Sequence, residues 1–434
     1  MITIDRYRCA YCGGCVSVCP EGALTLAETR LRVNAACTEC GCCVSACPMG
    51  ALQLPGGKGR SLPPALRRRY DVVVVGAGPG GALAAETAAR AGLSVLLVEK
   101  RQEIGSPVRC AEGVGHEQLV AFIEPDPRWI AAEVRRAEIT AVADGTARTL
   151  RAEGGRGYVL ERRVFDRALA ERAARAGAEV HVKSAVIGLL GEAGQVRGVR
   201  LRPGGASELE VEAGVVIAAD GVEAQVARWA GLDLQLPLAD TMVCAQYLLA
   251  GIDTDPACTA YTIDHELAPG GYAWVFPKGE GTANVGLGVQ ADLLHEGGPG
   301  ALDYLIRFIE ARPALAQGHP VALVAGNVPV ALPPERLAAG GLLVVGDAAR
   351  QVDPLTGGGI INAMLAGKLA AEVAAEALAG GDTSAAFLAR YRERWQAGTG
   401  RKMQRNYRLR AAFPPERRSD ERFVHAFALA AGGK

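Results

Sequence analysis

Nine of the twelve cysteines in this 434-residue chain fall within its first 47 residues. Cys9, Cys12, Cys15 and Cys19, followed by Pro20, form CxxCxxCxxxCP, and Cys37, Cys40, Cys43 and Cys47, followed by Pro48, repeat it 28 residues later. Three thiolates spaced in this way wrap one face of an iron–sulfur cluster, while the distal cysteine of each run reaches across to the other cluster. The spacing therefore predicts two 4Fe-4S clusters, one held by Cys9, Cys12, Cys15 and Cys47, the other by Cys37, Cys40, Cys43 and Cys19. Zinc is the competing ligand, but it takes four donors and suits two interlocked sets of four poorly. Cys42 is surplus to both sets and is expected to pack near the second cluster.

A second chemistry follows at residues 71–100, DVVVVGAGPGGALAAETAARAGLSVLLVEK. The β-branched run Val72 to Val75 has the composition of a buried parallel strand, and Gly76, Gly78 and Gly81 form GxGxxG directly after it. An Ala-rich helix from Ala82 to Ala91 then points its free amides at the turn, an arrangement that receives a pyrophosphate. A second strand ends in Glu99, eighteen residues beyond Gly81, where a carboxylate accepts from a ribose. Strand, turn, helix, strand and acid together predict a bound dinucleotide.

Other stretches supply candidate partners for it. The loop 104–115, IGSPVRCAEGVG, follows the second strand and carries Cys110, Ala111 and Gly113; Cys110 is either a small core residue or a reacting thiol. Arg162, at the start of an amphipathic helix, is placed to reach a phosphate, with Arg163 competing for the role. Asp220 and Gly221 close an apolar strand, beside the crevice of a doubly wound sheet, although an N-cap role is the alternative. In PGGYAWVFP, residues 269–277, strand alternation puts Tyr272, Trp274 and Phe276 on one face, either as ordinary core or as the wall of a substrate cavity. Asp347 ends another apolar strand ahead of Gly357 to Gly359 and an Ala-rich helix, whose amides suit a ring system. No second strand-linked GxGxxG is present, so no dedicated nicotinamide domain is expected.

The elements that must position these groups divide the chain. We expect an iron–sulfur module at 1–54, a Pro/Gly-rich linker at 55–69, a nucleotide-binding domain at 70–384 with an inserted antiparallel sheet at about 232–330, and a basic helical segment at 385–434. Residues 134–160 read as short strands, and 180–219 as a meander with turns at 192–194 and 203–205. The C-terminal segment, with Arg390, Arg405, Arg408 and Arg410 among Tyr391, Trp395 and Tyr407, suits either an anionic lipid surface or packing on the nucleotide-binding domain. The 47 basic and 47 acidic residues cancel, which argues against nucleic acid. Without an eighteen-residue apolar run or a signal-like start, the expected location is the cytoplasm, with room for peripheral contact at a membrane.

Residues 1–54 resemble a bacterial-type two-cluster ferredoxin. About residues 70–410 resemble the geranylgeranyl reductase family of flavoproteins, within the para-hydroxybenzoate-hydroxylase-like group. The motifs that carry this are GAGPGG with Glu99, VRCAEG, Asp220-Gly221, GD followed by GGG, and above all PxxYxWxFP, met by Pro269, Tyr272, Trp274, Phe276 and Pro277. The resemblance implies an α/β Rossmann-like FAD-binding domain, an antiparallel-sheet (α+β) substrate domain and a small α+β ferredoxin domain. It implies FAD held by Gly76, Gly78, Gly80, Gly81, Glu99, Cys110, Ala111, Gly113, Arg162, Ala185 (or a neighbour one residue away), Asp347, Gly358, Gly359 and Ile360. The expected activity is saturation of isolated double bonds in a polyprenyl lipid or quinone side chain, with Cys110 as proton donor and Tyr272 and Trp274 facing the substrate. The fused clusters favour an external low-potential donor such as reduced ferredoxin over NADPH. Two alternatives are an electron relay resembling the electron-transfer-flavoprotein:quinone oxidoreductases and, less favoured, a flavin monooxygenase.

Overall fold

The computed structural model describes residues 1–57, 66–192, 194–204 and 207–432. The central part of the expected linker, 58–65, and part of the turn at 203–205 lie outside the described residues.

The cysteine-rich module is built as two similar halves. In each, a glycine with left-handed backbone, Gly13 or Gly41, starts a one-turn helix, Gly14–Ser17 or Cys42–Ala46. Two short strand pairs, Thr3–Ile4 with Leu52–Gln53 and Leu24–Ala27 with Arg30–Val33, tie the halves together. The core of the module consists of Ile2, Leu24, Leu31, Ala51 and Leu52 with buried Cys9, Cys15 and Cys43. Cys42 is exposed, so it is not the packing residue expected from sequence. It starts the one-turn helix, where its side chain has no core to enter.

The larger body has two eight-stranded sheets. In the first, parallel strands run in the order Glu179–His181, Val95–Val98, Arg69–Val75, Leu209–Ala218 and Leu342–Val344. Val72 to Val74 and Leu96 to Leu97 are fully buried, as strands covered on both faces must be. The helices Pro79–Arg90 and Ile360–Gly380 lie side by side: a Cβ on Gly367 would come within 2.0 Å of the Gly80 carbonyl, so only glycine permits this approach. The strands Gln195–Pro203 and Ser184–Glu192, paired in turn beside Leu209–Ala218, extend this sheet on its far side.

The second sheet runs in the order His319–Pro329, Thr241–Ala250, Thr282–Gln290, Tyr272–Pro277, Cys258–Asp264, Ile130–Ala143, Thr146–Leu160 and Gly113–Gly115. It is therefore not confined to 232–330, because three strands come from 113–160. Two of those strands are long, at 14 and 15 residues, rather than the short ones expected. Charged residues along their solvent side broke up the apolar pattern. Arg151 pairs across the strands with Glu138 at 2.8 Å and Arg156 with Glu133 at 3.1 Å, while Arg135 pairs with Glu133 along its own strand. Register is set by that pairing and by the inner face, where Ile139 is buried.

The C-terminal helices pack on both sheets, the first of them on the core of the parallel sheet and the later ones on the second sheet. Tyr391 and Trp395 are fully buried, and Arg410 spans Asp240 Oδ1 at 2.9 Å and Gln290 Oε1 at 3.0 Å. Of the two roles suited to this segment, packing is the one that accounts for its aromatic residues. Among the described residues no helix is long and apolar enough to cross a membrane.

Candidate functional site

A single cavity of about 1260 Å³ runs from the glycine turn to the C-terminal helix Glu421–Ala431. Its first end is the strand–turn–helix unit. A Cβ on Gly81 would lie 1.9 Å from the Gly76 carbonyl, and one on Gly76, at φ +103°, would lie 2.3 Å from that of Ala219. A Cβ on Gly78 would meet nothing within 4 Å, so that position is open to the cavity. Glu99 braces the turn by accepting from Ala77 N at 3.1 Å and lines the same space. The N-terminus of helix Ile360–Gly380 has no side-chain cap, and Gly358, Gly359 and Ile360 all line the cavity; the Gly358 amide donates to Thr356 Oγ1 at 3.3 Å, and the first-turn amides of the helix that follow it have no intrahelical partner.

Two carboxylates face this region. Asp220 accepts from Val226 N at 2.9 Å through one oxygen, the cap-like contact, while its other oxygen is buried without a partner. Burial raises its carboxyl above the usual range, with the Val226 amide pulling the other way. Asp347 is likewise raised by burial, opposed by the charge of Arg162. An orphaned buried acceptor, an open glycine turn and uncapped helix amides are the fittings that a dinucleotide with hydroxyl and phosphate groups would satisfy. Gly221 also lines the cavity. Ala185 does not, whereas Ser184 and Val186 on either side of it do. The one-residue slip follows from strand alternation, which turns successive side chains to opposite faces.

The middle of the cavity is the loop 109–113. Cys110, Ala111 and Gly113 line it, and the Cys110 Sγ accepts from Glu112 N at 3.1 Å. Burial pushes the Cys110 thiol up, with Arg162 opposing and Glu112 adding to the rise. Arg162 turns inward, donating to Asp166 at 2.7 and 2.9 Å, while Arg163 is exposed against Ser106. The loop is held by polar groups that had no motif to mark them. Glu112 accepts from Lys278 Nζ and Asn284 Nδ2, both at 2.7 Å, and from Arg162 N at 2.8 Å. Gln246 Nε2 donates to the Cys110 carbonyl at 3.2 Å, and Trp274 Nε1 donates to Gln246 Oε1 at 2.8 Å. Single polar residues inside the apolar strands TMVCAQYLLA and TANVGLGVQ were the only signal for Gln246 and Asn284.

The far end is aromatic. Tyr272, Trp274 and Phe276 share one face of strand Tyr272–Pro277 and all line the cavity. Trp274 lies over Gly286, where a Cβ would come within 2.5 Å of its ring. Tyr261 and Phe427 extend the wall: Phe427 packs edge-on against Tyr272 at 5.0 Å and against Tyr261 at 5.5 Å. The Tyr272 hydroxyl donates to the Thr356 carbonyl, linking this wall to the loop before the GGG turn, and burial raises its phenol well above its usual range.

In the cysteine-rich module, the expected sets come together. Cys9, Cys12, Cys15 and Cys47 ring one small cavity, and Cys19, Cys37, Cys40 and Cys43 ring another. Backbone amides donate to the distal sulfurs, Ala23 N to Cys19 at 3.3 Å and Ala51 N to Cys47 at 3.2 Å, contacts that favour thiolate. Among the described residues no three His, Cys, Asp or Glu side chains converge as a single metal ion requires. Each ringed cavity is lined by four cysteines, the donor set that a 4Fe-4S cluster takes.

Comparison with known proteins matches these parts in turn. A 4Fe-4S dicluster domain matches residues 1–48, an FAD dependent oxidoreductase domain matches 71–277, and a geranylgeranyl reductase catalytic domain matches 240–328. The digeranylgeranylglycerophospholipid reductase of Methanosphaerula palustris is 50% identical over 369 residues, covering 83% of this chain and 91% of that protein. A solved geranylgeranyl bacteriochlorophyll reductase-like protein from Thermoplasma acidophilum is 41% identical with a TM-score of 0.77, over 83% of this chain and 92% of that one. A myxobacterial chondrochloren halogenase, 21% identical with a TM-score of 0.65, covers 84% of this chain and 91% of its own, and shares the fold alone.

Proposed function

Because this chain belongs to the geranylgeranyl reductase family of FAD-dependent oxidoreductases, we propose that it saturates isolated double bonds in the polyprenyl chains of a lipid, with electrons arriving through its iron–sulfur module. The observation that carries this reading is the continuity of one cavity from the glycine turn, past Cys110, to the aromatic wall. FAD, held by the turn, Glu99, Asp347 and the amides at Gly359 and Ile360, would supply a hydride when reduced, and two 4Fe-4S clusters on the eight paired cysteines would supply single electrons.

The chain's own residues answer the remaining demands of the reaction. An isolated prenyl alkene has no carbonyl to take up charge, so a proton must reach one carbon as hydride reaches the other. Cys110 holds that proton on Sγ: burial keeps the thiol protonated through neutral pH, and the Glu112–Lys278–Asn284 network keeps its loop in place. The Trp274 and Tyr272 rings stabilise cationic character on the alkene. The apolar wall binds the tail at about 0.8 kcal/mol for each buried methylene and excludes water.

The test is anaerobic incubation of the protein with dithionite-reduced ferredoxin and a polyprenyl phospholipid, followed by mass spectrometry. Each saturated bond adds the mass of two hydrogens to the lipid. A lipid of unchanged mass, with quinol formed from added quinone, would leave the chain an electron relay instead.

A further inference from the structure

The iron–sulfur module meets the flavin domain through the loop that carries its first cysteines. Lys183 Nζ donates to the Cys9 carbonyl at 2.7 Å, and the same ammonium lies 4.8 Å from the centre of the Tyr11 ring. The Arg202 guanidinium sits 4.7 Å from the centre of the Tyr7 ring. Lys183 occupies the left-handed region at φ 53°, a conformation that disfavours any residue with a Cβ. This backbone is held by hydrogen bonds from Lys183 N to the Arg101 carbonyl at 2.7 Å and from Ser184 N to the Glu99 carbonyl at 2.8 Å. Glu99 braces the glycine turn, and Ser184 lines the cavity. The Cys9 loop is thus one residue removed from the cavity wall, on the side where Glu99 lines it.

We propose that Lys183 is a positioning residue that latches the first cysteine set, Cys9, Cys12, Cys15 and Cys47, against the adenosine side of the flavin cavity, which makes it the flavin-facing cluster and leaves the second set to receive electrons from outside. The proposal rests on the reading of the cavity as an FAD site. Each transfer oxidises the flavin-facing cluster by one electron; two such transfers, with protons from solvent, reduce the flavin, and a ferredoxin-class donor replaces the electrons. A fixed ammonium beside Cys9 also favours the more negative, reduced state of the nearer cluster. The Tyr7 and Tyr11 contacts hold the loop laterally, and of the two anchoring cations, Lys183 and Arg202, it is Lys183 that acts both as a cation–π partner and as a hydrogen-bond donor to the cysteine loop.

The experiment uses the full-length protein loaded with clusters and FAD. Redox titration followed by electron paramagnetic resonance reads the two clusters separately, and rapid mixing with reduced ferredoxin, without lipid, reads flavin bleaching. With Lys183→Met, one cluster signal is expected to move to lower potential while the other stays, and bleaching slows at least tenfold; Lys183→Arg keeps both near wild type. Arg202→Met, which leaves the Cys9 contact intact, slows bleaching less and covers the case in which Lys183→Met loses its clusters. Unchanged potentials and rates in Lys183→Met, two signals moving together, or wild-type behaviour of Arg202→Met alongside a cluster-free Lys183→Met would overturn the proposal. Photochemically reduced flavin should still saturate lipid equally in wild type and Lys183→Met. Failure of the wild type in that arm would overturn the lipid reaction and leave the latch to be judged on the potentials alone.

Discussion

The two ends of the cavity are built in opposite ways. The glycine-turn end comes mainly from one continuous stretch, 71–99, and its shape is set by backbone: Gly76 and Gly81 have carbonyls where a side chain would stand. The aromatic end draws on residues from 110, 246, 272–276, 284 and 427, and side-chain hydrogen bonds and ring contacts hold it together. The first kind of site tolerates no substitution at its few key positions. The second distributes its geometry, so that single changes there should cost less and separate binding from chemistry.

Four substitutions sharpen or break that contrast. Gly81→Val forces atoms into the Gly76 carbonyl, and the purified protein should carry no flavin absorbance; normal flavin content would show that the turn is not the constraint. Lys278→Met leaves Glu112 buried without its cation, and a loss of about 3–5 kcal/mol in denaturant unfolding is expected, with the 110–113 loop loosened. Cys110→Ser should retain FAD and lose about a hundredfold in turnover, the scale of a positioned general acid. Wild-type turnover should stay level through neutral pH and fall only on the alkaline side of an ordinary thiol's titration. The sign follows from burial, which raises the thiol: the donor is competent while protonated and is lost as pH climbs through that raised value. A turnover in Cys110→Ser equal to wild type would remove the thiol from the reaction. Gln246→Leu, which strands the Trp274 indole N–H, should cost about 1–3 kcal/mol of stability and leave flavin content unchanged. If it instead empties the FAD site, the two ends are not separable.

The module and the body differ in the same sense. In the module, eight cysteines at fixed spacing specify their own grouping, and the structure gathers the two expected sets around two cavities. In the body, sequence reading placed short strands over 134–160, where two long ones run, because exposed arginines and glutamates on the outer face hid the period. It also placed a contact at Ala185, one position from the residues that line the cavity. Arg162 was named from sequence with Arg163 as its competitor; Asp166, one turn along from Arg162, draws that side chain inward.

What the amino-acid sequence determined by itself is therefore whatever is encoded over short distances: cysteine spacing, the glycine turn with its terminal acid, and an aromatic strand with a defined face. Those features depend on backbone geometry and on the period of a single element, both of which are local. Tertiary structure alone decided that Glu112 meets Lys278 and Asn284, that Phe427 completes the wall begun by Tyr272, and that Lys183 reaches the Cys9 loop from 174 residues away. Such contacts join segments with no common period, and a buried polar residue in an apolar strand shows that a partner is required without showing which one.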